Sequence, residues 1–313
     1  MVDMTSVICQ GLTLKTPVMN ASGVGGFSNE LHGYVNMAEM GAFVTKSLAP
    51  FETKGNPAPR VVGANAAMLN SVGLTGPGIE FWRENLLAKL VKINVPTIVS
   101  IWGRTIDDYA RAAALLQGVD PIVVGVEVNV SCPNIEDKNK MFAHSVTSVG
   151  EILDATKELS LPRLIKLSPS THLLGEILEV VDASSASGVV LTNTALGLSL
   201  DMGNLLPSLG ARGGGLSGPA LHQIALRAIY DSYRALPNLP IVGVGGVSNA
   251  RGAIEMLAAG ARVIQIGTAS FVEPRVISKV IQDLPKEIEK LGFSAVSDLV
   301  GAAHRGGAAA TRD

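Results

Sequence analysis

An α/β chain closing as a parallel (β/α)8 TIM barrel is predicted by three observations. Short apolar runs recur eight times with helix-periodic segments between them, and a βα alternation repeated eight times closes most simply as a parallel barrel. No Pro/Ser-rich or charge-rich linker interrupts the 313 residues, so residues 1–313 read as one domain. The competing fold is a doubly wound open sheet, but the first glycine-rich turn, Ala21-Ser22-Gly23-Val24-Gly25-Gly26, lacks dinucleotide-fingerprint spacing.

The runs fall at 17–20, 42–45, 96–101, 124–130, 163–167, 188–192, 240–244 and 262–266, and helical periodicity covers 107–116, 149–159, 173–182, 219–236 and 250–259. Before the first run, residues 7–18 pattern as a hairpin turning at Gln10 and Gly11, suited to plugging the bottom of the barrel. Two stretches, 48–78 and 195–218, are too long for simple connectors and are expected over the mouth as lid or wall.

Composition narrows the class. With 47% hydrophobic and 17% charged residues the chain has material for a sizeable core, and its 34 glycines suggest tight turns or close backbone approach to a ligand. A net charge of −2 offers no basic surface for nucleic acid. Two distant cysteines, Cys9 and Cys132, support neither a disulfide framework nor a metal cluster, and a reducing cytoplasm fits them. No apolar run reaches the length of a membrane span.

The chemistry is expected around Val126-Glu-Val-Asn-Val-Ser-Cys-Pro-Asn134. Val126, Val128 and Val130 alternate as in a strand and Pro133 ends it, placing Asn129 at the strand end and Cys132 in the loop beyond. A lone cysteine there reads either as buried filler or as an active-site thiol, and Asn129, Ser131 and Asn134 around it favour ligand contacts. Late in the chain, Val244-Gly-Gly-Val-Ser-Asn249 and Ile266-Gly-Thr-Ala269 follow the seventh and eighth runs, where a barrel keeps its phosphate site; two glycine turns on two adjacent strands favour phosphate binding over plain tight turns. Lys46 and Lys166 stand at strand ends, where each must reach the mouth or stay buried and unpaired. With a phosphate site, they favour a cofactor that gains negative charge, such as a flavin. Asn70, Asn129, Asn134 and Asn193 suit the rim of a flat heterocycle with alternating C=O and N–H groups. The five histidines, His32, His144, His172, His222 and His304, are scattered and receive no role.

Seven pieces carry a resemblance over nearly the full length: Asn20-Ala-Ser-Gly23, Thr45-Lys-Ser47, Gly55-Asn-Pro-Ala-Pro-Arg60, Asn70-Ser-Val-Gly-Leu74, Asn129-Val-Ser-Cys-Pro-Asn134, Lys166-Leu-Ser-Pro169 and the run from Gly214 to Pro219. The chain resembles the class 1 dihydroorotate dehydrogenases, FMN-bearing barrels that oxidise dihydroorotate to orotate in pyrimidine (UMP) synthesis. The resemblance implies that Cys132 takes the C5 proton while the C6 hydride passes to flavin N5. It implies substrate contacts from Asn70, Ser71, Val72, Gly73, Leu74, Asn129, Asn134, Asn193 and Thr194, with Lys46 touching both substrate and flavin. The FMN contacts it implies are Ala21, Ser22, Lys46, Ser47, Ser100, Asn129, Lys166, Thr192, Gly218, Gly245, Gly246, Gly267 and Thr268.

The subclass motifs are mixed. Asn20 to Val24, Asn70 to Leu74, Ser100-Ile-Trp-Gly103 and the segment from Leu291 to Leu299 look like the homodimeric, fumarate-reducing kind, which is the reading preferred here. Lys166 to Pro169 and Gly215 to Pro219 look like the kind paired with an FAD and iron-sulfur subunit that serves NAD; this chain's two cysteines could not hold that cluster. Ile135-Glu-Asp-Lys-Asn-Lys140 is charged where the family usually has glycine and proline. Two alternatives stand beside the first reading: a flavin enzyme acting on another dihydropyrimidine, and a Schiff-base aldolase using Lys166.

Overall fold

A computed structural model describes residues 2–131, 133–134 and 140–306. Its centre is an eight-stranded sheet whose strands we label β1 (Val18–Asn20), β2 (Phe43–Val44), β3 (Thr97–Ile101), β4 (Val123–Asn129), β5 (Arg163–Leu167), β6 (Gly188–Leu191), β7 (Ile241–Val244) and β8 (Val263–Ile266). All seven ladders are parallel, running β1-β8-β7-β6-β5-β4-β3-β2. The eight runs expected from the sequence are therefore the eight strands, each within a few residues.

The seam between β1 and β2 is closed by other means. Gly41 N donates to Val18 O at 2.9 Å. The buried Asn20 carboxamide supplies two further bonds, Nδ2 donating to Val44 O at 2.7 Å and Oδ1 accepting from Val44 N at 2.9 Å. A side chain thus replaces a missing ladder rung, because the strands are too short to supply it.

The N-terminal hairpin, Ser6–Cys9 with Leu12–Leu14, plugs the barrel as expected. Ile8, Leu12 and Leu14 join the interior cluster of Met19, Val44, Ile98, Leu164, Val190, Val242 and Val263. Neighbouring positions such as Val99, Ile165 and Ile264 face the other way and pack against the helices, which is the alternation a strand requires.

Helices follow seven of the strands, among them Ile106–Leu115, Val146–Ala155, Leu174–Asp182, His222–Ala235, Ala250–Ala259 and Val276–Lys290. Two departures have local causes. The expected helix over 149–159 is shifted back to Val146–Ala155, because Ser145 Oγ caps it by accepting from Ser148 N at 3.2 Å. The first βα unit has no α-helix among the described residues and uses the 3-10 turns Glu30–Gly33 and Met37–Glu39. None of the described helices is long and apolar enough to cross a membrane.

The two long stretches do lie over the mouth, and they meet there. Val61–Ala64 and Ala67–Asn70 from the first, and Ala195–Gly197 and Gly214–Ser217 from the second, form one antiparallel four-stranded sheet.

Candidate active site

Inside the barrel the inward face changes character within two residues. Ile98 gives way to Ser100, Leu164 to Lys166 and Val263 to Gln265, and Glu127 joins them from β4. Barrel interiors are normally filled by branched apolar residues, so this polar layer marks the floor of a site. Glu127 is 0% exposed and Lys166 5%. Lys166 Nζ donates to Glu127 Oε1 at 3.2 Å and to Gln265 Oε1 at 3.4 Å, and Gln265 Nε2 donates to Glu127 Oε2 at 2.8 Å. Lys166 is therefore neither at a wet mouth nor unpaired, the two options the sequence left for it. An amine held in an ion pair is poorly placed as a free nucleophile, which weakens the aldolase alternative.

Above this floor opens a cavity of about 1020 Å³. Small-molecule sites occupy roughly 300–1,000 Å³, so this cavity stands at the large end of that range, as a site for a cofactor-sized ligand would. Of the expected cofactor residues, Ala21, Ser22, Lys46, Ser47, Asn129, Lys166, Thr192, Gly218, Gly245, Gly246, Gly267 and Thr268 line it, and so do Asn70, Ser71, Val72, Gly73, Leu74, Asn193 and Thr194 of the expected substrate set. Ser100 does not reach the wall. It lies beneath, with Oγ 2.9 Å from Ser47 Oγ, and donates to Glu127 Oε1 at 3.3 Å. Cys132 and residues 135–139 lie outside the described residues, and Asn134 is described by its backbone alone, paired with Lys140.

The carboxamides are braced against one another. Asn193 Nδ2 donates to Asn129 Oδ1 at 3.1 Å, Ser131 N donates to the same oxygen at 3.2 Å, and Thr194 N donates to Asn193 Oδ1 at 2.8 Å. Tyr109 OH holds Asn129 O at 2.7 Å, which fixes the strand end from which the Cys132 loop departs. Asn70 arrives from the lid, with Nδ2 3.4 Å from Gly215 O.

Lys46 Nζ donates to Thr75 O at 2.6 Å and lies 5.6 Å from the Phe27 ring centroid. Burial, and secondarily the charge of Arg60, push its pKa down to about 8. At the phosphate-type turns, Gly245 and Gly246 adopt φ +141° and +68°, conformations a side chain would strain. His222, given no role from sequence, lies within 2.9 Å of Gly245 O through Nδ1 and 2.8 Å of Glu255 Oε2 through Nε2, bracing this turn.

Sequence reasoning missed several wall residues. Arg104 places its guanidinium 4.9 Å from the Phe51 ring centroid and 5.9 Å from that of Trp102. Glu127 was visible within the central motif but carried no local sign of a partner. Thr192 Oγ1, Ser131 Oγ, His144 Nε2 and Trp102 Nε1 all belong to lining residues, and all are buried without a hydrogen-bond partner among the described residues. Each of these four atoms is closed off from the cavity by its neighbours, so they mark tightly packed wall rather than contacts open to a ligand. Lys46, Lys54, Arg104 and Lys166 against Glu127 make the described lining strongly cationic, although the whole chain carries −2.

Residues 4–288 match the family profile described as dihydroorotate dehydrogenase. The chain belongs to the dihydroorotate dehydrogenase family, among its class 1 oxidoreductases. Its relatives include proteins named dihydroorotate dehydrogenase B (NAD(+)), catalytic subunit. That of Desulforudis audaxviator is 39% identical over 97% of this chain and 98% of its own length. That of Pelobacter propionicus is 38% identical over 96% and 98%, and that of Desulforamulus reducens 37% over 94% and 96%. Dihydroorotate dehydrogenases work through a flavin, and the cavity suits one: it is wide, cationic and edged by two open-backbone glycine turns.

Proposed function

We propose that this chain is the FMN-bearing catalytic subunit that oxidises dihydroorotate to orotate in pyrimidine synthesis. The observation that carries the reading is the large cationic cavity at the C-terminal ends of the barrel strands, walled by the strand-end carboxamides and edged by the glycine turns after β7 and β8. Gly245, Gly246, Gly267 and Thr268 would hold the phosphate through backbone N–H groups. Ser47, Asn129, Lys166 and Thr192 would line the ring system, and FMN there would supply a two-electron acceptor.

The chain's own residues do the rest. Lys46, the Asn70–Leu74 segment, Asn129, Asn134, Asn193 and Thr194 would bind and orient the acid. The Asn129–Asn193 brace removes rotamer freedom before the ligand arrives, so less ordering is left to binding. Cys132 would take the proton from substrate C5, next to a carbonyl. Asn129 Oδ1 ties Ser131 N to the strand end, so the loop carrying that thiol starts from a fixed point. A thiol at its ordinary pKa is mostly protonated near neutrality, so the rate should follow its thiolate fraction.

On the electron acceptor, the relatives' names favour the alternative over the fumarate-reducing homodimer preferred from motifs. A catalytic subunit linked to NAD requires a second protein, which would supply the FAD and iron-sulfur centre that two cysteines cannot support. The test is anaerobic. Dihydroorotate should bleach the bound flavin; fumarate should leave it bleached, and NAD should restore the colour only with a partner subunit present. Recovery with fumarate alone would return the chain to the homodimeric kind. Cys132→Ser should keep FMN and orotate binding while losing about 10²–10⁴-fold in turnover near neutral pH, regaining part of it as pH rises; unchanged turnover would remove Cys132 from the mechanism.

A further inference from the structure

Nothing in the chemistry above uses Glu127, yet it places a fully buried carboxylate in the floor of the site. A carboxylate with no solvent exposure is costly to bury, and an apolar layer of similar volume is often as stable or more so. Its two oxygens collect donors from three other strands: Ser100 and Lys166 on Oε1, Gln265 on Oε2. Lys166 has three N–H groups. Two are directed at Glu127 Oε1 and Gln265 Oε1, and the residue also lines the cavity, which leaves one N–H for a ligand there.

We infer that Glu127 is a positioning residue which, with Gln265, fixes the orientation and the net charge of the cation that Lys166 presents to the cofactor, and so sets how strongly the bound flavin favours its reduced form. The inference rests on the flavin reading above. Reduction adds negative charge to the cofactor, and a positive charge below it favours that state most where water is excluded. With Glu127 in place the layer is an oriented but neutral pair. The pull on electrons is moderated, as a cofactor that must give them up again requires.

The charge can be stepped in both directions without changing side-chain length. Glu127→Gln keeps an acceptor oxygen toward Lys166 and removes the negative charge; Gln265→Glu adds a second one beside the same ammonium. The midpoint potential of FMN bound to each variant is measured by anaerobic dye-linked titration, with FMN affinity and thermal melting in parallel. Glu127→Gln should shift the oxidised-to-reduced equilibrium toward the reduced form by about tenfold or more, about 30 mV for a two-electron couple, and slow reoxidation more than reduction. Gln265→Glu and Lys166→Met should shift it the opposite way. Variants that hold FMN at the wild-type potential, or that all shift in one direction, overturn the inference even if their melting temperatures fall. Should Glu127→Gln fail to fold, Gln265→Glu decides alone. Wild-type protein that takes up no FMN overturns the flavin reading and this inference together.

Discussion

At the residue scale, the proposed role of Lys46 in anion binding would couple ligand binding to pH. Its ammonium is half withdrawn from water and feels Arg60, so it loses its proton near pH 8. Below that pH the charge attracts an anionic ligand; above it the attraction is lost, and a bound anion pulls a proton back. Affinity for orotate should therefore be flat below about pH 7 and fall by up to about tenfold per pH unit above pH 8, with proton uptake on binding in that window. Calorimetry in buffers of different ionisation enthalpy measures both. Lys46→Arg, always charged, should abolish the dependence; a wild-type affinity that does not change from pH 7 to 9 would remove Lys46 from anion binding. Lys46 was legible because a lysine ending an apolar strand is conspicuous within a few residues. Glu127 was not, since its partners Lys166 and Gln265 lie 39 and 138 residues away and no local pattern marks them. Arg104 likewise acquires its place only when Phe51 and Trp102 are brought beneath it.

At the scale of elements, the strands were legible because each is an apolar run bounded by turns, whereas the lid sheet was not. Gly214–Ser217 is glycine-rich and reads as a turn, and it is held as a strand by Ala67–Asn70, far back in the chain. That pairing depends on close backbone approach. A Cβ at Gly214 would lie 2.4 Å from Asn70 O, and one at Gly215 would lie 2.1 Å from Thr194 Oγ1. Gly214→Ala should cost about 1–3 kcal/mol and weaken orotate binding by displacing Asn70, read by denaturant midpoint and by titration. The barrel seam makes a second case. Asn20 both donates to and accepts from Val44 in a fully buried site, and an ionised aspartate there could only accept. Asn20→Asp should destabilise the protein by about 2–4 kcal/mol, a loss far above that of a surface substitution; an unchanged denaturation midpoint would mean the seam is closed by the plug and helices instead.

For the whole molecule, the relevant contrast is between a chain of net charge −2 and a cavity whose described charged lining is Lys46, Lys54, Arg104 and Lys166 against the single carboxylate of Glu127. A cleft of one sign with low-dielectric walls concentrates oppositely charged ligands and raises their association rate, and salt screens that effect over about 8–10 Å. Lys166 is already neutralised from below, so the steering should come from Lys54 and Arg104 at the rim together with Lys46. The association rate of orotate should fall as ionic strength rises from about 0.01 to 1 M, across which the Debye length shrinks from about 30 to 3 Å, with the dissociation rate much less affected. Arg104→Gln and Lys54→Gln should each flatten that slope while leaving the fold intact, because both side chains are exposed and neither is part of an ion pair among the described residues. An uncharged analogue of the same ring should show no slope in any of the three proteins. Stopped-flow titration against salt separates these cases, and a wild-type slope retained in both variants would place the steering charge in Lys46 alone.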